Sequence, residues 1–198
     1  LRVLAPDQRG YSPRARPSAV AAYRIDRLAG DVLALADAAG LDRFDVLGHD
    51  WGGAVAWHLA GSYPERIRTL TVVSTPHPRA LEETLRGPQA LRSWYQLAFQ
   101  LPWLPETVLG SPLGERWMAS SGAPEPAELA RLFTDRSATT GALNWYRAMR
   151  LKDAPSTGKI TVPTLYVWGD GDVVLGRQAA ELTGAYVERD YRFLELAG

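Results

Sequence analysis

Apolar and polar positions alternate along the chain with periods that distinguish strands from helices. Short apolar runs, which predict buried strands, lie at residues 2–6, 44–47, 67–74 and 162–168, and residues 191–196 predict one more. Between the first two runs, apolar residues recur at spacings of three and four and predict one helical face: Ile25, Leu28, Val32, Leu35 and Ala39. Ser18 is the predicted N-cap of this helix and Gly40 its C-cap.

The order of these elements predicts a sheet with helices packed against it. Up to residue 74 the chain runs strand, helix, strand, helix, strand, which is typical of a parallel α/β sheet with right-handed crossovers. Residues 77–159 then lack a strand pattern and contain several prolines and many aromatic side chains. We therefore predict a core formed by residues 1–78 and 160–198, interrupted by a helical lid at residues 79–159.

Charge and cysteine content exclude several function classes. Lys and Arg together number 22, as do Asp and Glu, so a net charge of zero predicts no nucleic-acid or anionic-membrane partner. No apolar run is long enough to span a bilayer. The absence of cysteine excludes a disulfide framework and a cysteine metal site, and the three histidines lie too far apart for a helical zinc motif. We expect a cytoplasmic protein without bound metal. Since the chain lacks an initiator Met and both of its ends interrupt predicted secondary structure, we also expect a fragment whose fold is incomplete at both ends.

The strongest chemical signal is the sequence Gly48-His49-Asp50-Trp51-Gly52, which joins a predicted strand to a predicted helix. It has the pattern of a nucleophile elbow, with Asp where a serine commonly stands. The glycines allow the strand and the helix to approach closely, and a helix N-terminus favours an anion. We therefore expect Asp50 to be an ionised nucleophile that projects into a crevice. An ordinary turn with Asp50 as an N-cap is the simpler alternative.

Five segments, in this order along the chain, resemble the epoxide hydrolase branch of the α/β-hydrolase fold. They are residues 7–12 (DQRGYS), 48–53 (GHDWGG), 94–100 (WYQLAFQ), 143–147 (LNWYR) and 162–172. The resemblance covers essentially the whole chain. It implies an α/β-hydrolase fold, no cofactor, and a small apolar epoxide and water as partners. The implied reaction opens the epoxide to a vicinal diol through an alkyl ester on Asp50.

The resemblance also implies roles for two lid residues and for a second carboxylate. Tyr95 and Tyr146 would donate phenol protons to the epoxide oxygen, whereas in the alternative interpretation they are only packed lid aromatics. Asp172 would orient the histidine base that promotes hydrolysis of the ester, with Asp170 as the second choice. The backbone N–H of Trp51 would be an oxyanion donor.

The tryptophans indicate an apolar substrate. Trp51 and Trp145 are expected to line the substrate cavity, and Trp94, Trp103 and Trp117 lie in the same predicted lid. The lid tryptophans would serve equally well as the core of the lid itself.

Two parts of the implied machinery do not occur in the sequence. The family has a catalytic histidine soon after its final strand and a His-Gly-x-Pro loop before its nucleophile, and neither is found in the 198 residues. His49, His58 and His77 are expected to have packing or turn roles instead. We therefore predict that Asp50 forms the ester slowly and that the chain turns over barely or not at all.

Two other functions fit part of the pattern. A haloalkane dehalogenase shares the Asp elbow and the adjacent Trp, but it has no use for a pair of lid phenols. A non-catalytic relative, either a binding domain or a decayed remnant, would fit the missing histidine. An esterase or lipase is disfavoured because it would carry serine at the elbow.

Overall fold

The computed structural model describes residues 2–85, 95–120, 125–149 and 156–197. The chain forms two compact units, Leu1–Leu28 with Tyr95–Ala154 and Ala29–Trp94 with Pro155–Gly198. We call them the helical unit and the sheet unit. This grouping differs from the predicted division in two ways: residues 1–28 group with the helices, and residues 79–85 and 156–159 group with the sheet. Within the described ranges, no helix is long and apolar enough to cross a membrane.

The sheet unit is built on four parallel strands. They lie in the order β1 (Phe44–His49), β2 (Ile67–Val73), β3 (Thr164–Gly169) and β4 (Tyr191–Leu196). The helices of this unit are the main part of α1 (Ile25–Ala38), α2 (Trp51–Ser62), α3 (Pro78–Thr84) and α9 (Arg177–Leu182), followed by a 3₁₀ turn at Thr183–Tyr186. The predicted parallel sheet flanked by helices is confirmed.

The core of the sheet unit lies where α2 packs on the sheet. Side chains alternate between the two faces of a strand, so Leu70 and Val72 of β2 share a face with Tyr166 and Trp168 of β3. These four side chains are buried, as is Trp57 of α2. Because α2 is apolar around most of its circumference, it is a core helix and not an amphipathic surface helix.

The helical unit consists of short helices followed by one longer helix. These are α4 (Tyr95–Ala98), α5 (Leu104–Leu109), α6 (Pro112–Ser120), α7 (Pro126–Leu132) and α8 (Arg136–Ala148), together with a 3₁₀ turn at Val20–Tyr23. Proline stands in the first turn of α5, α6 and α7, where it costs no helical hydrogen bond. Asp135 caps α8 by accepting hydrogen bonds from the N–H groups of Ser137 and Ala138.

Direct contacts with α8 explain why the first residues belong to the helical unit. The indole N–H of Trp145 donates to the carbonyl of Arg9 at 2.9 Å. The backbones of Gly10 and Gly141 touch, since a Cβ on Gly141 would lie 2.7 Å from the carbonyl oxygen of Gly10. Arg16 donates both to that carbonyl and to Asp135. Such contacts between distant parts of the chain leave no mark on hydrophobic periodicity.

Three local predictions need correction. The strand predicted at residues 2–6 is wrong: this segment pairs with no strand of the described chain, and Val3 and Leu4 are 71% and 50% exposed. An apolar run becomes a strand only where a neighbouring strand accepts its hydrogen bonds. Ser18 does not cap α1, because the 3₁₀ turn lies between them. The buried face of α1 uses Leu28 and two alanines, whereas Leu35 is exposed.

The C-cap at Gly40 is confirmed. Its φ is +70°, and the N–H of Leu41 donates to the carbonyl of Ala36 at 2.9 Å, the pattern of a left-handed helix end.

Candidate functional site

Asp50 occupies a sharp turn between β1 and α2. Its backbone has φ 51° and ψ −123°, a conformation that residues other than glycine rarely adopt. Two positions earlier, a Cβ on Gly48 would lie 2.3 Å from the carbonyl oxygen of Gly52, so only glycine permits this approach of strand to helix. The structure therefore contains the tight turn that the sequence predicted, with Asp50 at its centre.

The segment that follows β2 holds this turn in place. Thr75 donates its hydroxyl to the carbonyl of Asp50 at 2.8 Å, and Trp57 donates its indole N–H to the carbonyl of Thr75 at 2.9 Å. The hydroxyl of Tyr166 donates to the carbonyl of Ser74 at 2.8 Å. Trp57 and Tyr166 are fully buried, which shields two of these bonds from water. Contacts from several elements thus maintain the strained backbone at Asp50.

The carboxylate of Asp50 is exposed at the carboxyl edge of the sheet. It directly precedes Trp51, the first residue of α2, but it makes no capping hydrogen bond to that helix. An exposed carboxylate that is not engaged as a cap can attack an electrophile without a base. These features favour the nucleophile interpretation over the N-cap alternative.

Asp172, one of the two carboxylates that follow β3, is held by backbone groups of its own turn. Its Oδ1 accepts hydrogen bonds from the N–H groups of Val174 at 2.8 Å and Leu175 at 2.9 Å. It is half-buried, whereas Asp170 is exposed. Since β1, β2 and β3 are parallel, Asp50 and Asp172 both follow strand ends at the same edge of the sheet. This arrangement favours Asp172 as the orienting acid, a role that stays a prediction.

Tyr95 and Tyr146 both lie in the helical unit, and their rings are in contact. The ring centroids are 6.0 Å apart with an interplanar angle of 75°. Phe99 packs against both, 5.5 Å from Tyr95 and 4.9 Å from Tyr146 between centroids. Trp117 contacts Tyr95 and Phe99. The two phenols that the sequence singled out therefore belong to one tilted and edge-to-face aromatic cluster.

The lid tryptophans have different environments. Trp145 is only 1% exposed and anchors the carbonyl of Arg9, as described above. Its environment favours the alternative in which it forms the core of its own unit, and its substrate contact stays a prediction. Trp103 is mostly exposed. Trp94 lies outside the described residues.

The chain matches known proteins over most of its length. The sequence model of the alpha/beta hydrolase fold family matches residues 1–197. The AB hydrolase superfamily protein YfhM of Bacillus subtilis is 38% identical over 92% of this chain and 68% of its own length. Human Epoxide hydrolase 4 is 32% identical over 99% of this chain. One solved structure, described among novel epoxide hydrolases from metagenomes of hot environments, is 31% identical with a TM-score of 0.81, covering 98% of this chain and 73% of its own.

The chain belongs to the epoxide hydrolase branch of the α/β-hydrolase fold family. The fold class and the family predicted from the five sequence segments are thereby confirmed. The chain spans 59% of the length of human Epoxide hydrolase 4.

In this member of the epoxide hydrolase branch, His77 is a buried residue with several contacts, although the sequence predicted only a packing or turn role for it. Its ring is fully buried, stacked 4.7 Å from Tyr186 and edge-on to Trp57 at 5.3 Å. Nδ1 accepts a hydrogen bond from the N–H of Arg79, and Nε2 lies 3.1 Å from the carbonyl of Gly158. These two contacts fit a neutral ring with its proton on Nε2. The pKa of His77 is lowered to about 4, mainly by burial. The hydrogen bond to Gly158 raises the pKa in part, and the positive charge of Arg79 lowers it further.

This burial predicts a loss of stability in mild acid. The unfolded chain protonates His77 near pH 6.5, whereas the folded chain does so only near pH 4, so the stabilisation is complete above pH 6.5 and is lost as the pH falls toward 4. Between pH 6.5 and 5 we expect His77 to account for a fall of about 2 kcal/mol in the free energy of unfolding. Urea denaturation across this range measures it.

A matched pair of variants isolates the contribution of His77. His77→Gln should be less stable at pH 7.5, yet it should lose less stability than the wild type between pH 6.5 and 5. His49→Gln replaces an exposed histidine and should keep the wild-type dependence. An unchanged slope in His77→Gln contradicts the assignment.

Sequence reasoning missed the residues that support the turn at Asp50. Thr75 and Trp57 act through backbone carbonyls, which no sequence motif reveals. The available signal was positional: Thr75 lies two residues beyond the end of β2, the strand next to β1.

Two further features of the described part of the sheet unit were compared with the turn at Asp50. A groove of about 300 Å³ lies nearer the amino-terminal ends of β2, β3 and β4, away from Asp50. Its lining residues are Thr69, Leu70, Thr71, Pro163, Thr164, Leu165, Asp190, Tyr191 and Arg192. Among the described residues, no group of three His, Asp or Glu side chains is placed to hold a metal ion.

Proposed function

We propose that this protein opens small apolar epoxides by nucleophilic attack of Asp50, the first step of epoxide hydrolysis. The observation that carries the proposal is the strained turn at Asp50, which presents an uncapped, exposed carboxylate at the carboxyl edge of the sheet. Family membership supports the substrate class, because relatives of this chain are named epoxide hydrolases. We also propose that the protein is cytoplasmic.

The first step forms an ester and opens the ring. A carboxylate oxygen of Asp50 attacks a ring carbon of the epoxide, and the carbon–oxygen bond breaks with its electron pair going to the ring oxygen. That oxygen takes a proton from the phenol of Tyr95 or Tyr146, and the phenolate regains a proton from water. The product is a hydroxyalkyl ester of Asp50, whose mass is that of the chain plus one epoxide molecule.

The second step releases the diol. A general base takes a proton from water as that water attacks the carbonyl carbon of the ester. The acyl–oxygen bond then breaks with its electron pair going to the diol oxygen, which takes the proton from the base, and the carboxylic acid of Asp50 loses its proton to solvent. This step needs a general base, which Asp172 is proposed to orient, and an oxyanion donor, for which the N–H of Trp51 is proposed. Two backbone N–H groups fix the orientation of Asp172, which supports this assignment.

The proposal is tested by the intact mass of the protein after incubation with styrene oxide. The ester forms before the step that needs a base, so the adduct is measured instead of the diol. We expect a mass gain of one epoxide per chain, located by peptide mapping at Asp50. A folded sample without an adduct, or with adducts spread over many surface carboxylates, contradicts the proposal. An adduct from 1-chlorobutane but not from the epoxide favours the dehalogenase alternative.

The two phenols are expected to accelerate adduct formation. Tyr95→Phe and Tyr146→Phe should each slow it about 10- to 100-fold, because each variant removes one proton donor to the developing alkoxide. The rate is measured by mass spectrometry of timed samples. Tyr63→Phe is the matched control: Tyr63 follows the end of α2, at the opposite end of that helix from Asp50, and its removal should leave the rate unchanged. Single variants that react at the wild-type rate exclude the phenols as donors.

A further inference from the structure

The segment that carries Tyr95 is too short to hold its own position. Helix α4 has only the four residues Tyr95–Ala98, and a helix of that length is not stable by itself in water. Leu97 and Leu101 within and just after it are exposed, so apolar burial holds this segment only in part. The location of the Tyr95 phenol therefore depends on the contacts that the segment makes with the rest of the helical unit.

Arg147 of α8 supplies the strongest polar contacts to this segment. Its Nε donates to the carbonyl of Phe99 at 3.1 Å, and one terminal nitrogen donates to the carbonyl of Leu101 at 2.7 Å. These carbonyls lie just beyond the end of α4, where backbone acceptors lack helical partners. A planar guanidinium with five donors in a fixed fork can bind both carbonyls at once, whereas a lysine ammonium lacks that fixed geometry.

Glu106 fixes the guanidinium from the other side. Its two carboxylate oxygens accept hydrogen bonds from Arg147 at 2.7 and 3.2 Å, a bidentate pair. The two side chains are only 13% and 6% exposed. Burial alone would raise the pKa of Glu106, but its hydrogen bond with Arg147 and further contacts outweigh burial and lower it. The ion pair is therefore present at neutral pH.

The same segment is tied directly to the turn of α8 that carries the second phenol. Gln100 donates through its amide nitrogen to the carbonyl of Tyr146, the residue immediately before Arg147. Phe99 packs its ring against both tyrosines. The side chain of Arg147 and the carbonyl of Tyr146 thus connect one turn of α8 to residues 99–101.

The geometry points to Arg147, held by Glu106, as a positioning residue that sets the distance between the phenols of Tyr95 and Tyr146. This inference rests on the proposed function, in which both phenols face one epoxide oxygen. Arg147 itself touches no reacting atom. Its effect is to keep two proton donors, carried by separate helices, at a separation that one oxygen can use.

The kinetic test is a double-mutant cycle on adduct formation with styrene oxide, using folded protein confirmed by circular dichroism. Arg147→Lys should slow the reaction about 10- to 100-fold. In the Tyr95→Phe background, the same substitution should slow it by only about twofold, because the misplaced phenol is already gone. Multiplicative effects overturn the positioning role, since a general loss of structure acts equally in both backgrounds.

A second measurement does not depend on reactivity. With 3-fluorotyrosine incorporated throughout, the ¹⁹F resonances of Tyr95 and Tyr146 are assigned from their Phe variants. Arg147→Lys should shift or broaden these two resonances and leave that of Tyr63, in the sheet unit, unchanged. Unshifted resonances overturn the inference. If the wild type forms no adduct but the resonances move, the proposed function fails while the positioning contact stands.

Two further variants test whether the effect is specific to the contact between Arg147 and residues 99–101. Arg16→Lys is the matched control, because Arg16 also joins a carboxylate, that of Asp135, to backbone carbonyls of the helical unit, but none of them belongs to residues 95–101. It should lower the melting temperature and leave the adduct rate unchanged. Glu106→Gln keeps an acceptor for Arg147 without its charge. If Arg147→Lys does not fold, Glu106→Gln must slow adduct formation and shift the ¹⁹F resonances of Tyr95 and Tyr146, both to a smaller degree. A wild-type adduct rate and unshifted resonances in Glu106→Gln overturn the inference.

Discussion

Replacing Asp50 by Asn is expected to abolish the epoxide adduct while leaving the protein folded. Adduct formation should slow about 10⁴-fold, the scale of losing an essential nucleophile, because an amide lacks the negative charge that attacks the ring carbon. Asn is chosen because it tolerates positive φ better than most residues, so the turn at φ 51° is preserved. The measurements are intact mass after treatment with styrene oxide and thermal melting by circular dichroism.

Asp45→Asn is the matched control for this prediction. Asp45 lies in β1, the strand that leads into the turn at Asp50, and it makes an exposed ion pair with Arg68. The substitution removes the same charge from a surface carboxylate at little cost in stability. It should leave the adduct unchanged. Asp50 is not the nucleophile if Asp50→Asn reacts like the wild type, or if both variants lose the adduct equally.

The sheet could be predicted from the sequence because its strands follow periodicity. The runs at 44–47, 67–74, 162–168 and 191–196 are all strands, with bounds shifted by a few residues. The turn at Asp50 could be predicted as well, because glycines close to an acid after a strand restrict the backbone to few solutions. Both depend on local sequence alone. The run at 2–6 shows the limit of this reasoning, since a strand also needs a partner.

The supporting contacts could not be predicted, because most of them end on backbone carbonyls. Thr75 binds the carbonyl of Asp50, Trp145 that of Arg9, and Arg147 those of residues 99 and 101. Every residue has a carbonyl, so the sequence does not indicate which one a side chain will reach. Such bonds appear only when the topology brings distant segments together. This is why the family resemblance could point to Tyr95 and Tyr146 as candidates, whereas the contacts of Arg147 with residues 99 and 101 could not be predicted.

Gly48→Ala is expected to destabilise the sheet unit, because the added methyl group has no space between β1 and α2. The new Cβ would lie 2.3 and 2.5 Å from the carbonyl oxygen and carbon of Gly52, and 2.7 Å from the nitrogen of Gly53. These are backbone atoms in the first turn of α2, so no side chain can rotate away to relieve the contact. Strand and helix must separate, which disturbs the turn at Asp50. We expect the free energy of unfolding, measured by urea denaturation, to fall by about 3 kcal/mol or more.

Gly30→Ala adds the same methyl group where there is space for it. Gly30 lies inside α1, is exposed, and an added Cβ would have no atom within 4 Å. Alanine is the better helix former, so this variant should gain about 0.5–1 kcal/mol. If Gly48→Ala lowers the free energy of unfolding and Gly30→Ala raises it, the loss at Gly48 comes from contact between strand and helix and not from the methyl group itself. A stable Gly48→Ala protein that still reacts at Asp50 would show that the nucleophile does not need this close approach.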